Sequence, residues 1–253
     1  MRNLTANIAF LFPELPFLDR IDAAKAAGFD KVECHFPYEF PIEVLKERLD
    51  RAGVQLTGLN TQPGDKAKAE WGFAGVRGRE DQFRRDFDQA LKYATALGAS
   101  VIHVMAGTVA PADKEAALQT YVANLREAGR QASAAGVVLL LEPLNHRDSP
   151  GYLVTRSDEI ADIVAEIGEP NVKLLFDVYP CRSWKGTSSS GSRGTAASRA
   201  TCRWPAYRTG RSLTTITRST TAPCSRLSTA STTAASSASS TSRGATPCRA
   251  WPG

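Results

Sequence analysis

Two acidic residues stand directly after neighbouring apolar runs in the middle of the chain. Glu142 closes the run VVLLL, and Asp177 closes the run VKLLF. If both runs are parallel strands, the two carboxylates lie at the same edge of a sheet. They could then share a divalent cation such as Mg²⁺ or Mn²⁺ through hard oxygen ligands. They could also divide acid and base roles, because clustered like charges separate their pKa values. The alternative is that each carboxylate caps the helix that follows it.

Side chains in other predicted elements could also take part in chemistry. His35 and His103 fall within apolar runs, where a histidine either contacts a substrate or is a hydrogen-bonded structural residue. Trp71 lies in the long loop 63–79. It either lines the mouth of the fold or covers its top.

The elements that must position these residues alternate between short apolar runs and longer amphipathic ones. This alternation predicts repeated βα units and a parallel sheet. Glycines at 28, 53, 98, 136 and 168 end the predicted helices. The predicted strands are NIAFLF, KVECHF, VQLTGLN, SVIHVMAG, VVLLLEPLN and VKLLFDVY. The predicted helices are Phe17 to Ala27, Ile42 to Ala52, Asp81 to Leu97, Lys114 to Ala135 and Ser157 to Ile167.

Six such units are visible before the pattern stops. A closed (β/α)8 TIM barrel needs eight strands in roughly 250 residues, and the chain has 253. A six-stranded doubly wound sheet is the alternative, but no glycine-rich phosphate turn follows the first strand. We therefore predict an α/β fold of the TIM-barrel type with about six units encoded.

Composition divides the chain at residue 179. Residues 1–179 carry 20 Lys and Arg against 26 Asp and Glu, whereas residues 180–253 carry 11 Lys and Arg and no acid. These last 74 residues hold 16 Ser and 14 Thr, and such a composition buries too little apolar surface to offset the entropy of ordering. We predict a partial barrel domain over 1–179 and a disordered or out-of-frame tail over 180–253.

The cysteines and the apolar runs exclude several protein classes. Four of the five cysteines are spread along the tail, without the close pairs that zinc sites use. No apolar run approaches the roughly 18 residues of a membrane span, and the first run is followed at once by acidic residues. We expect a cytoplasmic enzyme that makes no membrane contact.

Four blocks of the sequence resemble the hydroxypyruvate isomerase family of xylose-isomerase-like TIM barrels. They are FPELPFLDRIDAAKAAGFDKVECHFPYEFP, LNTQPGDKAKAEWGFAGVRGREDQF, LEPLNHRDSPGYLVTRSDEIADIV and NVKLLFDVY. The resemblance runs from about residue 4 to Tyr179, and the third block is its most specific part.

The resemblance implies interconversion of hydroxypyruvate and tartronate semialdehyde, or of related 2-oxo sugar acids, through an enediolate. Glu142 would be the catalytic carboxylate and a metal ligand, and Asp177 a second ligand. Asp148, Asn145 and His103 would contact the substrate. The implied partner is a small keto acid or sugar, the implied cofactor is a divalent metal ion (Mg or Mn), and homo-oligomerisation is left open.

The resemblance ends abruptly at Pro180. The family continues with His where this chain has Pro180, and its later HVQ-like and GCEY-like strands are absent. Codons permitted for the tail can be regrouped in one other frame to give HVQVAGVPD over 200–209 and GVEY within 237–247. We therefore hypothesise that one lost base before codon 180 shifted the frame, and that the chain as written has little isomerase activity.

Three other interpretations compete with this one. A ketose 3-epimerase of the same superfamily would use the same carboxylates on longer sugars. A nonfunctional truncated barrel would do no chemistry. A tail that binds nucleic acid through arginine and tryptophan would show salt-dependent binding, but no pattern places its arginines on one face.

Overall fold

The computed structural model describes residues 4–177, 201–203 and 217–218. All of them belong to one compact unit, Met1–Thr221. Apart from 201–203 and 217–218, the predicted disordered tail over 180–253 lies outside the described residues, so this expectation stays a prediction. No helix in the described ranges is long and apolar enough to cross a membrane.

The first six strands of an eight-stranded sheet are parallel and follow the order of the sequence. They are β1 Ala6–Asn7, β2 Lys31–Glu33, β3 Gln55–Asn60, β4 Val101–His103, β5 Val138–Leu141 and β6 Val172–Asp177. Each strand pairs with the next along the chain, which is the pattern of successive right-handed βα crossovers. This arrangement confirms the predicted fold class for the first six units.

Two short strands follow β6 in the described set. Strand β7, Thr201–Arg203, pairs in parallel with β6, and β8, Thr217–Arg218, pairs antiparallel to β7. A closed (β/α)8 barrel is parallel throughout, so β8 departs from that arrangement.

The helices match the predicted ones closely. They are α1 Asp19–Ala26, α2 Ile42–Ala52, α3 Glu80–Leu97, α4 Lys114–Ala134 and α5 Ser157–Ile167. Gly53 and Gly168 end α2 and α5 in the left-handed conformation, at φ 62° and 76°. A side chain there would clash with the following carbonyl, so glycine makes these stops inexpensive.

The first strand is shorter than predicted. The run NIAFLF predicts an extended segment, but only Ala6–Asn7 pairs in the sheet. The Asn7 carbonyl accepts the N–H groups of Phe10 and Leu11, at 3.2 and 3.0 Å. The chain therefore turns immediately after β1 and forms a loop above the sheet.

Alternate strand residues face the helices and form the core. Val32, Leu56, Ile102 and Leu139 are at most 3% exposed, as expected for the helix-facing side of a covered parallel sheet. Residues of the other parity, among them His103, face the opposite side. The strand ends on that side carry the candidate site.

Candidate active site

Buried polar side chains gather where the parallel strands end. Such groups are costly to bury without partners, so a cluster of them needs an explanation. The members at or just after strand ends are Asn7, Asn60, Thr61, His103, Glu142 and Asn145. The carboxyl edge of the sheet is also where TIM-barrel enzymes place their chemistry.

Glu142 and His103 form the centre of this cluster. Each is 5% exposed, and His103 Nδ1 lies 3.7 Å from Glu142 Oε2. They meet because β4 and β5 are neighbours and His103 pairs in register with Leu140. The next helix begins only at Ser157, so Glu142 does not cap it. The structure thus brings together two of the predicted site residues.

Asn145 and Asp148 meet in the turn after β5. Asn145 Nδ2 donates to Asp148 Oδ2 at 2.6 Å, while Asn145 Oδ1 accepts the N–H groups of Arg147 and Asp148 at 3.0 Å. The Asn145 side chain therefore holds this turn together. Asp148 is exposed, so its carboxylate reaches solvent from a fixed position. Contact of either residue with a substrate stays a prediction.

Asp177 is the last residue of β6, the strand beside β5. This backbone position agrees with the predicted strand end. Its side chain lies outside the described part of the structure, so its approach to Glu142 stays a prediction. Among the described residues, no group of three or more His, Cys, Asp or Glu side chains could hold a metal ion. Glu142 supplies one carboxylate of the kind that Mg²⁺ or Mn²⁺ prefers.

The loops after β3, β4 and β5 are tied to one another by main-chain contacts, and we call residues 61–79, 104–110 and 142–156 the wall. Gly72 bridges to Ala106, and Thr108 bridges to Tyr152. The Gly75 N–H donates to the Ala106 carbonyl at 2.7 Å. Because both edges of the β4 loop are paired, the wall fixes the backbone from which the Glu142 side chain projects.

Two hydroxyl groups complete the hydrogen bonding of the wall. Thr61 Oγ1 accepts the Met105 N–H, and the Tyr152 hydroxyl accepts the Ala106 N–H, both at 2.9 Å. Burial raises the pKa of Tyr152; the Ala106 N–H opposes that rise, and the Glu142 carboxylate adds to it. Tyr152 therefore remains a neutral phenol near the candidate base.

Trp71 belongs to the wall. It is half-buried and packs against the hydrophobic core. The following residue, Gly72, approaches the β4 loop closely. Both sequence alternatives for Trp71 agree with this packing, so its role stays a prediction.

The opposite side of the mouth is built from the ends of β1 and β2. Asn7 Nδ2 lies 3.2 Å from His35 Nε2, and Asn7 Oδ1 accepts the Ala9 N–H at 3.0 Å. Because the Ala9 N–H fixes the amide orientation, Asn7 donates and His35 Nε2 accepts. His35 is thus a hydrogen-bonded histidine at the mouth.

Three members of the cluster, Asn7, Asn60 and Thr61, were not predicted from the sequence. Asn60 and Thr61 end or follow an apolar run, which is the signal that singles out Glu142, whereas Asn7 opens the run NIAFLF. An amide or a hydroxyl at a strand end is common, however, and nothing local distinguishes these three residues. Their burial, which depends on neighbouring strands, identifies them.

A family model described as xylose isomerase-like TIM barrel matches residues 21–201. The chain belongs to this family. The 2-oxo-tetronate isomerase of Cupriavidus necator is 43% identical over 187 residues, covering 74% of this chain and 72% of the relative. The hydroxypyruvate isomerase of Escherichia coli is 36% identical over 187 residues, with 74% and 72% covered. The chain is accordingly an enzyme of the isomerase class.

Solved structures agree with this placement. A structure described as AP endonuclease, family 2, from Brucella melitensis superposes with a TM-score of 0.72 at 36% identity, covering 74% of this chain and 73% of the other. A D-psicose 3-epimerase from Clostridium cellulolyticum superposes with a TM-score of 0.58 at 21% identity, covering 72% and 66%. The second likeness supports the fold alone.

Proposed function

We propose that this site interconverts hydroxypyruvate and tartronate semialdehyde, or carries out the same isomerisation at the corresponding carbons of a 2-oxo-tetronate. The observation that carries the proposal is the buried Glu142 carboxylate at the end of β5, with His103 Nδ1 at 3.7 Å from it. Relatives at 36% and 43% identity are named for these keto acids. The ketose 3-epimerase compared above shares only 21%, so a keto acid is the better supported substrate.

The reaction moves a proton between adjacent carbons. Glu142 takes the proton from the hydroxymethyl carbon of hydroxypyruvate, and the electrons of that bond form the enediolate double bond. Glu142 then returns the proton to the neighbouring carbon, while a proton passes from one substrate oxygen to the other. A positioned carboxylate base contributes typically 10²–10⁴-fold to such a step.

His103 is the group that we assign to the substrate oxygens. Its ring is buried beside Glu142, so both act from fixed positions on the same face of a small substrate. A hydrogen bond from the imidazole strengthens as charge develops on the oxygen, which favours the enediolate over the keto acid.

A divalent metal ion fits this proposal. Glu142 and Asp177 would hold it, since carboxylates at the ends of adjacent strands supply the oxygen ligands that Mg²⁺ and Mn²⁺ prefer. When bound, it would stabilise negative charge on the substrate oxygens. Asp148, exposed above the same edge, would contact the distal hydroxyl groups of a longer substrate, and Asn145 would hold it there.

The test compares the chain as written with a chain from a gene carrying one restored base before codon 180. Proton NMR would follow hydroxypyruvate and 2-oxo-tetronate with each protein, and gene sequencing would look for the lost base. We expect isomerisation by the repaired chain and little by the chain as written. Full activity of the chain as written, or an intact frame in the gene, would contradict the frameshift hypothesis.

Substitution of Glu142 by Gln in the repaired chain tests the catalytic assignment. We expect kcat to fall by about 10²–10⁴ with unchanged thermal unfolding. Glu166→Gln, an exposed position on α5, is the matched control and should keep full activity. A repaired chain that acts only on ketoses would replace the keto-acid assignment with the epimerase alternative.

A further inference from the structure

Phe10 is a large apolar side chain left in solvent at the mouth of the fold. It is 68% exposed, and among the described residues only Val44, at 40%, joins it as an exposed large hydrophobic residue. The same loop buries Ile8 and Leu11 to 1% and 3%. The turn after β1 therefore points two apolar neighbours inward and presents Phe10 outward.

The Phe10 ring packs against His35, a polar residue at the edge of the candidate site. Its centroid lies 4.9 Å from the His35 ring, with the planes at 88°. His35 in turn meets the Asn7 amide, and its carbonyl accepts the Asn60 N–H at 2.9 Å. Asn60 pairs in register with His103. Neighbouring strand ends therefore connect His35, which contacts the Phe10 ring, with the candidate catalytic pair of His103 and Glu142.

The loop that carries Phe10 is held in place. Arg20 donates to the carbonyls of Leu15, Ile8 and Pro13, at 3.0, 3.1 and 3.4 Å. The backbone of the loop that carries the ring is therefore fixed before any ligand binds, which lowers the ordering cost of binding.

We propose that Phe10 contacts the substrate: its ring covers the short 2-oxo acid bound above His35 and keeps water from the reacting carbons. This inference rests on the proposed function. A small acid cannot close the mouth with its own bulk, and an enediolate open to solvent would exchange its proton with water. An apolar ring laid over the ligand excludes that water and gains favourable burial of its own.

Hydroxyl-radical footprinting of the repaired chain, with and without hydroxypyruvate, tests the contact. Both Phe10 and Val44 are exposed and oxidisable, so Val44 serves as the internal control for radical dose. We expect oxidation of Phe10 relative to Val44 to fall about threefold or more when hydroxypyruvate is bound, since such sites enclose most of a ligand's surface. Equal relative oxidation with saturating hydroxypyruvate would overturn the inference. So would full protection of Phe10 without any ligand.

Calorimetric titration of the repaired chain, the parent for the variants below, with hydroxypyruvate separates this inference from the proposed function. Phe10→Ala should weaken binding about tenfold, whereas Phe10→Trp and Val44→Ala should bind as the parent does. The fold should tolerate all three changes because the two side chains are exposed. If the parent chain binds no hydroxypyruvate, the proposed function and this inference both fail. If it binds but Phe10→Ala binds equally well, only the inference fails.

Discussion

The two sides of the mouth are held together by different kinds of bond. In the wall, main-chain bridges join Gly72 to Ala106 and Thr108 to Tyr152. The opposite side, at the ends of β1 and β2, adds long side-chain hydrogen bonds to the main-chain bonds that the Asn7 carbonyl accepts. Arg20 reaches three carbonyls of the loop after β1, and Asn7 donates to His35.

This difference bears on how the site divides its tasks. Main-chain hydrogen bonds keep their geometry when most surrounding side chains are substituted. They are lost only where a substitution prevents the backbone from adopting its native conformation. Side-chain ties change with a single substitution. Glu142 and His103, whose geometry must be exact for proton transfer, lie on the side of the wall: Glu142 is its residue directly after β5, and His103 directly precedes its β4 loop. Phe10 and His35, which we assign to the cover over the substrate, lie on the adjustable side.

Breaking the wall at Gly72 should give the largest loss of stability. Gly72 has φ +95°, and a Cβ there would lie 2.3 Å from both the Cβ and the carbonyl oxygen of Met105. Gly72→Ala adds left-handed strain to a clash with backbone, so we expect the free energy of unfolding to fall by about 3 kcal/mol. Urea unfolding of the full chain measures it.

Gly53→Ala is the matched control for this change. Gly53 has φ +62°, and a Cβ added there would meet nothing within 4 Å, so this position carries the strain without the clash. We expect a loss of about 1 kcal/mol. Equal losses at the two glycines would show that close approach of the β3 and β4 loops does not hold the wall.

Releasing the opposite side requires only one side chain. Arg20→Met keeps the aliphatic stem but removes the donors to the loop after β1, and the freed carbonyls can turn to water. We expect a loss of about 1–2 kcal/mol and faster amide hydrogen exchange over residues 8–15, with exchange in the wall unchanged. Mass spectrometry of the exchanged peptides measures this.

Arg84→Met provides the control for the loss of an arginine. Arg84 pairs with Asp81 within α3, and its side chain is 62% exposed, so its removal should cost under about 0.5 kcal/mol. Faster exchange in the wall of the Arg20 variant would contradict the independence of the two sides.

The helices could be predicted from the sequence because their periodicity is long and their stops are local. Ile42–Ala52 and Ser157–Ile167 match the prediction at both ends. The first strand could not be bounded in this way, since apolar residues continue past Asn7 into a turn. Its end is set by hydrogen bonds to the Asn7 carbonyl, which a pattern of residue types does not reveal.

The candidate site, like the fold, could be predicted only in part from the sequence. Glu142 could be singled out as a candidate because it stands at the end of an apolar run, and His103 because it is a titratable residue within one. The wall could not, because its contacts join residues far apart in sequence, as when the Tyr152 hydroxyl accepts the Ala106 N–H. The close approach at Gly72 likewise depends on Met105, and neither residue alone signals it.

The smallest expected effect lies where the wall enters α5. Asp158 is in the first turn of α5 and accepts from Arg156 Nε at 2.9 Å. This hydrogen bond from Arg156 lowers the pKa of Asp158 from 3.8 to about 2. A carboxyl whose pKa is lower in the folded state stabilises the fold fully above pH 3.8. That contribution is lost as the pH falls through about 2.

Asp158→Asn should therefore cost about 0.5 kcal/mol or less at neutral pH, because the pair is half exposed and screened by solvent. The stability difference between parent and variant should shrink as the pH falls below 3.8, and added salt should reduce it. Urea midpoints across this pH range measure it, with Asp162→Asn on the same helix as the control. A difference that persists at the lowest pH would mean that packing at the end of the wall, and not charge, holds the start of α5.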